Sequence, residues 1–250
     1  MSAKHKPSRY RGGMVAAAAV FTFAFAPIGP VPAASADEAV TTEAGRIARG
    51  GRLYDSWFAV IGAEKPTDTH SAWPASNSRT GDATWRCKSC HGWDTLGRDG
   101  AYATGSYETG IIGVRRLESA ETAEIVAIIK DDTHELADLM DERDFEDLAL
   151  FISRGQTDMD AYIDRAAKAA KGDAATGQAV YETVCVNCHG ATGTKIKDMD
   201  PLGALMGNPW EILHKIRYGQ PAEEMPALYT FDPQVAADIM AYTATLPMER

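Results

Sequence analysis

The stretch WRCKSCHGWD, residues 85–94, places Cys87, Cys90 and His91 within five consecutive positions. Three chemistries use such a cluster: a zinc knuckle, a redox disulfide and covalent attachment of a prosthetic group. A second copy, CVNCH at 185–189, holds Cys185, Cys188 and His189, and the two units use all four cysteines of the 250-residue chain.

The rest of the sequence decides among these chemistries. Zinc bound by two C-x-x-C pairs takes the four thiolates and leaves both histidines as coincidences. A thioredoxin-like pair needs no adjoining histidine, and its alternation of strands and helices is missing. A disulfide framework, with three possible pairings, accounts for the cysteines alone. Covalent haem c accounts for every residue of both units: two thiols add to the two vinyl groups, and the next histidine gives an axial nitrogen to iron. The sequence therefore predicts two haem c groups, one on Cys87, Cys90 and His91 and one on Cys185, Cys188 and His189.

Upstream of these motifs the chain reads as an address. Lys4, Lys6, Arg9 and Arg11 precede an apolar run from Met14 to Ala26, then Ala34-Ser35-Ala36, with no acid before Asp37. That is the order of a cleavable secretory signal over residues 1–36. The apolar run is shorter than the ~20 residues a spanning helix needs. Export to the periplasm, and no stable membrane insertion after cleavage, are the expectations. The remaining chain has 21 Lys and Arg against 35 Asp and Glu, a balance of −14. Nucleic acid and anionic lipid select basic patches, so neither is an expected partner. A redox protein with a basic docking surface is.

Around the second motif the sequence forms a short module. Gly177 and Tyr181 lead into CVNCH; NPWEILHKIRYGQ (208–220) follows, with Trp210, Ile212 and Ile216 at helical spacing. Then come EEMPAL and FDPQVAADIMAYTATLP, where Asp232 can cap a helix that accepts Pro233 in its first turn. This resembles the class I cytochrome c family, with a leading helix, C-x-x-C-H, a wrapping loop, a Met-Pro loop and a terminal helix. The resemblance implies that Met225 is the distal iron ligand opposite His189.

The first half repeats that order. Gly50 and Tyr54 are spaced as Gly177 and Tyr181 are, SAETAEIVAIIKDD stands in the place of the WEILHKIRYG helix, and DERDFEDLALFISRG (141–155) matches the terminal helix with Asp141 as its cap. Aligning DLALFI with DIMAYT gives an offset of 91, which carries Met225 onto His134. His134 is thus the preferred distal ligand of the first haem. Met140, directly before the cap, is its competitor, and His70 is a more remote one. Between Tyr54 and Cys87 the first half also carries an insertion of about 29 residues, roughly 55–84, which contains Trp57, His70, Trp73 and Trp85.

The predicted fold is all-α: a first cytochrome c domain over 37–155, a helical linker over 156–172 and a second domain over 173–250. Two fused modules are similar to the dihaem cytochromes c4, although the insertion and His134 depart from that pattern. With both distal positions filled by side chains, the resemblance implies outer-sphere electron transfer and no catalytic residue. Methionine raises haem potential relative to a second imidazole, so electrons should run from a His91/His134 haem to a His189/Met225 haem. The alternative is a small-molecule oxidoreductase similar to dihaem thiosulfate dehydrogenases or peroxidases. Against the first stands the lack of a spare cysteine to serve as distal ligand.

Overall fold

In the computed structural model, residues 42–250 are described, and the expected signal over 1–36 lies outside them. The described chain is mostly helical, with one two-stranded sheet.

Helix α1 (Glu43–Ile61) begins where the Thr42 hydroxyl accepts from the Gly45 amide, breaks direction at Ser56, and ends at Gly62. Gly62 takes φ 69°, a left-handed conformation open to glycine, and its amide closes on the Phe58 carbonyl. The helix therefore outruns the boundary expected near residue 55, and the extra segment starts only at Gly62. That segment ends in a 3-10 turn, Gly81–Trp85, which leads into α2 (Cys87–His91).

Helices α3 (Thr122–Ile129) and α4 (Glu142–Leu150) complete the first half. Asp141 accepts from the Asp144 amide while the Asp144 side chain accepts from the Asp141 amide, a reciprocal cap that fixes where α4 starts. A π-helical turn, Phe151–Gly155, extends α4.

The helical linker expected over 156–172 is not what the chain forms. Instead a 3-10 turn at Met159–Ala161 precedes a hairpin of β1 (Ile163–Asp164) and β2 (Ala169–Ala170), antiparallel with Ile163 opposite Ala170. Met159 and Ile163 are buried, and Arg165 reaches Asp160 and the buried Asp94, so packing overrides the helix preference of the alanines and lysines.

The second half carries α5 (Ala174–Val180), a π-helical turn at Tyr181–Cys185, α6 (Val186–His189), α7 (Leu202–Leu205), α8 (Pro209–Tyr218) and α9 (Pro233–Thr243). The Asp232 side chain accepts from the Gln234 amide and Pro233 opens α9.

Two helix pairs set the framework. At α1 on α4, a Cβ on Gly50 would lie 2.0 Å from the Asp147 carbonyl oxygen; at α5 on α9, one on Gly177 would lie 1.9 Å from that of Asp238. Only glycine permits either approach. Two apolar clusters surround these crossings. Leu53, Tyr54, Trp57, Phe145, Leu148 and Phe151 build the first, joined by Tyr218 from α8. Tyr181, Leu213, Ile216, Ile239 and Met240 build the second, joined by Trp93 from just after α2. Each half thus seats a ring in the other's core, where a buried aromatic of this size contributes about 2–3 kcal/mol.

Polar groups lock α8 onto α1. The His214 Nε2 donates to the Gly51 carbonyl at 2.8 Å, and the Tyr218 hydroxyl donates to Gly155 and lies 2.9 Å from the Thr157 hydroxyl. Asp55, fully buried, pairs with Lys215 at 2.8 Å and with Arg86. Burial pushes this carboxyl up, but Lys215 and Arg86 outweigh it and hold Asp55 below its ordinary pKa. No helix among the described residues is long and apolar enough to cross a membrane.

Candidate haem centres

Each C-x-x-C-H unit sits on one helical turn that ends at a glycine. Gly92 has φ 81° and Gly190 φ 77°. The Tyr54 hydroxyl donates to the Gly92 carbonyl at 2.7 Å, and the Tyr181 hydroxyl donates to the Gly190 carbonyl at 2.6 Å. The loop after each motif folds back alike: the Gly97 amide donates to the His91 carbonyl at 2.8 Å, the Lys195 amide to that of His189 at 3.1 Å. An upstream tyrosine and a returning amide therefore pin the backbone around both His91 and His189.

None of the four cysteines is paired in a disulfide. Burial pushes Cys87 and Cys90 up to about 12, with the Cys90 thiol adding to the shift of Cys87. Both are held as neutral thiols, and Cys87 packs against the first apolar cluster. Cys185 is raised to about 11 by burial, and Cys188 is exposed.

The first site brings two imidazoles close together. The His91 Nδ1 donates to the Ile112 carbonyl at 2.7 Å, and the His134 Nδ1 to Asp131 at 2.8 Å, which leaves the Nε2 of both rings as the nitrogen with a lone pair. Their ring centroids are 6.4 Å apart and their planes are inclined by 32°. A metal–imidazole bond of about 2 Å plus ~1.1 Å from nitrogen to ring centre, counted twice, gives about 6.2 Å, so the spacing fits one iron between the rings. Burial pushes His91 down to about 4, which keeps the imidazole neutral and able to ligate.

Met140 lies in the first cluster, 8% exposed, among its apolar side chains. His70 does not face the pocket with its Nε2, which donates instead to the backbone carbonyl of His134 at 3.0 Å.

At the second site His189 is half-buried, its pKa lowered by burial, and its Nδ1 is buried with no protein partner. Met225, in the loop between α8 and α9, is half-buried and packs, like Cys185, against the second cluster. Two other methionines in that cluster are otherwise engaged: the Met206 sulfur accepts from the Thr243 hydroxyl at 3.3 Å, and Met240 is 1% exposed on α9.

Sequence reasoning passed over His214 and Trp93. His214 is 1% exposed and ringed by Trp93, Tyr54, Phe151 and Tyr218 at centroid distances between 4.6 and 6.0 Å. It stands four residues after Trp210 and four before Tyr218, on the apolar stripe of α8, and that spacing was its signal.

Among protein families, residues 172–242 match the one described as cytochrome C oxidase, cbb3-type, subunit III. No curated protein and no solved structure matches the chain. A cytochrome c domain is therefore present over 172–242, which implies covalently bound haem c and supports an electron-carrier role.

Proposed function

We propose that the chain is an exported dihaem cytochrome c of two tandem modules that passes single electrons between redox proteins. The observation that carries it is the His91–His134 pair, 6.4 Å apart with both Nδ1 atoms tied outward. It sits at the C-x-x-C-H unit that lies outside the matched segment. Repetition of the fold supports a tandem architecture. Asp147 and Asp238, which meet the two crossing glycines, are 91 residues apart, the same interval that aligns His134 with Met225. The two tyrosine–glycine bonds repeat as well.

Haem supplies a one-electron ferric–ferrous couple. In this reading Cys87 and Cys90 hold the first haem and His91 and His134 its iron; Cys185, Cys188, His189 and Met225 do the same for the second. Filled axial positions leave electron transfer through the haem edge as the chemistry. The imidazole pair holds its iron at lower potential than the imidazole–thioether pair, so electrons run from first to second. The address at residues 1–36 supports a periplasmic setting, and the −14 balance after it supports a partner with a basic rim.

Expression with a haem c maturation system tests this. Mass measurement should show two haem increments, the resting ferric protein should be fully low-spin with one bis-imidazole and one imidazole–thioether signal, and a redox titration should resolve two waves with the bis-imidazole wave lower. A single haem, or a high-spin resting centre, overturns the carrier reading.

A further inference from the structure

We propose that the segment between Gly62 and Trp85 is a clamp on the loop that bears His134, with His70 as its positioning residue. The proposal rests on the reading of His134 as the distal ligand.

The clamp is anchored in the first core. The Trp57 indole donates to the Trp85 carbonyl at 2.9 Å, and the Trp85 indole donates to the Asp68 carbonyl at 2.8 Å. The His70 ring packs edge-on against Trp85, with centroids 4.4 Å apart. Its backbone amide donates to the Thr84 hydroxyl at 3.0 Å, and Thr84 is 1% exposed. The Ala72 amide donates into the His70 Nδ1 at 3.1 Å, which places the proton on Nε2. That Nε2–H then donates to the His134 carbonyl at 3.0 Å.

The clamped loop needs holding. Glu135, the residue after His134, has φ 54°, a left-handed conformation that non-glycine residues adopt only when their surroundings impose it. The Ser71 hydroxyl donates to the Glu135 carboxylate at 3.0 Å. On its other flank, Asp131 accepts from the His134 ring and amide and from the Thr133 amide. His134 is thereby fixed by its ring on one side and its carbonyl on the other. Trp85 also stands two residues before Cys87, so a single indole ties the attachment side of the site to the distal side. The physical effect is to suppress departure of His134 from iron, and with it entry of a foreign ligand.

Cyanide binding to the full-length ferric holoprotein reads this out, with the second haem as an internal control. In His70→Ala, cyanide should bind the first haem roughly three- to tenfold faster, the change that loss of one ordinary hydrogen bond produces in an opening equilibrium. His70→Gln, whose amide can donate to the same carbonyl, should restore most of the wild-type rate. The methionine band and the cyanide rate of the second haem should not move. Ser71→Ala, a change at the surface, should give a smaller acceleration and serves if His70→Ala does not mature. Wild-type cyanide rates at the first haem in both variants overturn the clamp while His134 ligation stands. An unchanged first-haem spectrum in His134→Ala removes the ligation, and the clamp with it.

Discussion

The Nε2 of His214 lies 2.8 Å from the carbonyl oxygen of Gly51, a hydrogen bond between α8 and α1 with both residues buried. Burial pushes the His214 pKa down to about 4, and Asp55 offsets only part of that effect. In the unfolded chain the ring protonates near pH 6.5, while in the folded chain it stays neutral until about 4. Between those values the unfolded state binds more protons, so stability is complete above pH 6.5 and falls as pH drops towards 4, by up to about 3 kcal/mol. Denaturant titrations at several pH values should show that slope, and His214→Asn, which can still donate to Gly51, should flatten it. Equal slopes would remove His214 as the sensitive group.

The two helix crossings should fail alike. A methyl group on Gly50 or Gly177 must displace a carbonyl oxygen that would lie about 2 Å away. Gly50→Ala and Gly177→Ala should each cost about 3 kcal/mol, at the upper end for overpacking, measured by chemical denaturation of the holoprotein. Gly62→Ala provides the contrast, since its Cβ would meet nothing within 4 Å and only the φ of 69° resists it.

Asp55 is the counterion for two cations. Removal of its charge leaves Arg86 without its carboxylate and Lys215 with only the more distant carboxylate of Glu211, at 3.8 Å, where α1, α2 and α8 meet. Asp55→Asn should therefore destabilise the fold by about 3–5 kcal/mol. The double variant Asp55→Asn/Lys215→Met should recover part of it; no recovery in that cycle would show that the pair is not coupled.

If His134 and Met225 are the distal ligands proposed above, exchange of the two should move the two potentials in opposite directions. His134→Met should raise the first haem and give it a thioether band, whereas Met225→His should lower the second and abolish its band. Spectroelectrochemistry of each variant checks this. A second-haem band that survives Met225→His would move ligation to another methionine, and Met206 is then the first to test.

The two C-x-x-C-H motifs were readable because the covalent haem chemistry proposed for them demands neighbouring residues in one order. The Asp141 and Asp232 caps were readable too, since a cap acts within three residues. The residues that join the halves act over distance. Nothing local to Tyr218 announces that its hydroxyl will meet Gly155, or that Trp93 will leave its own motif for the second cluster. The linker misled for the same reason: DRAAKAAKGD has good helix formers, yet Ile163 is buried and Arg165 is drawn to Asp94, which leaves Lys168 at the hairpin turn with φ 50°. His134 was singled out as a candidate by register alone, whereas the proposed role of His70 depends on a backbone carbonyl that sequence cannot point to.

The exchange of rings between the cores bears on how such a gene can change. A recombination that replaces everything after Gly172 with a cousin's segment must import a tyrosine at 218 and a socket for Trp93, or leave a hole in the first cluster and an uncovered indole at Trp93. Descendants of this chain should therefore inherit its two halves as one unit and diverge instead along the outer loops.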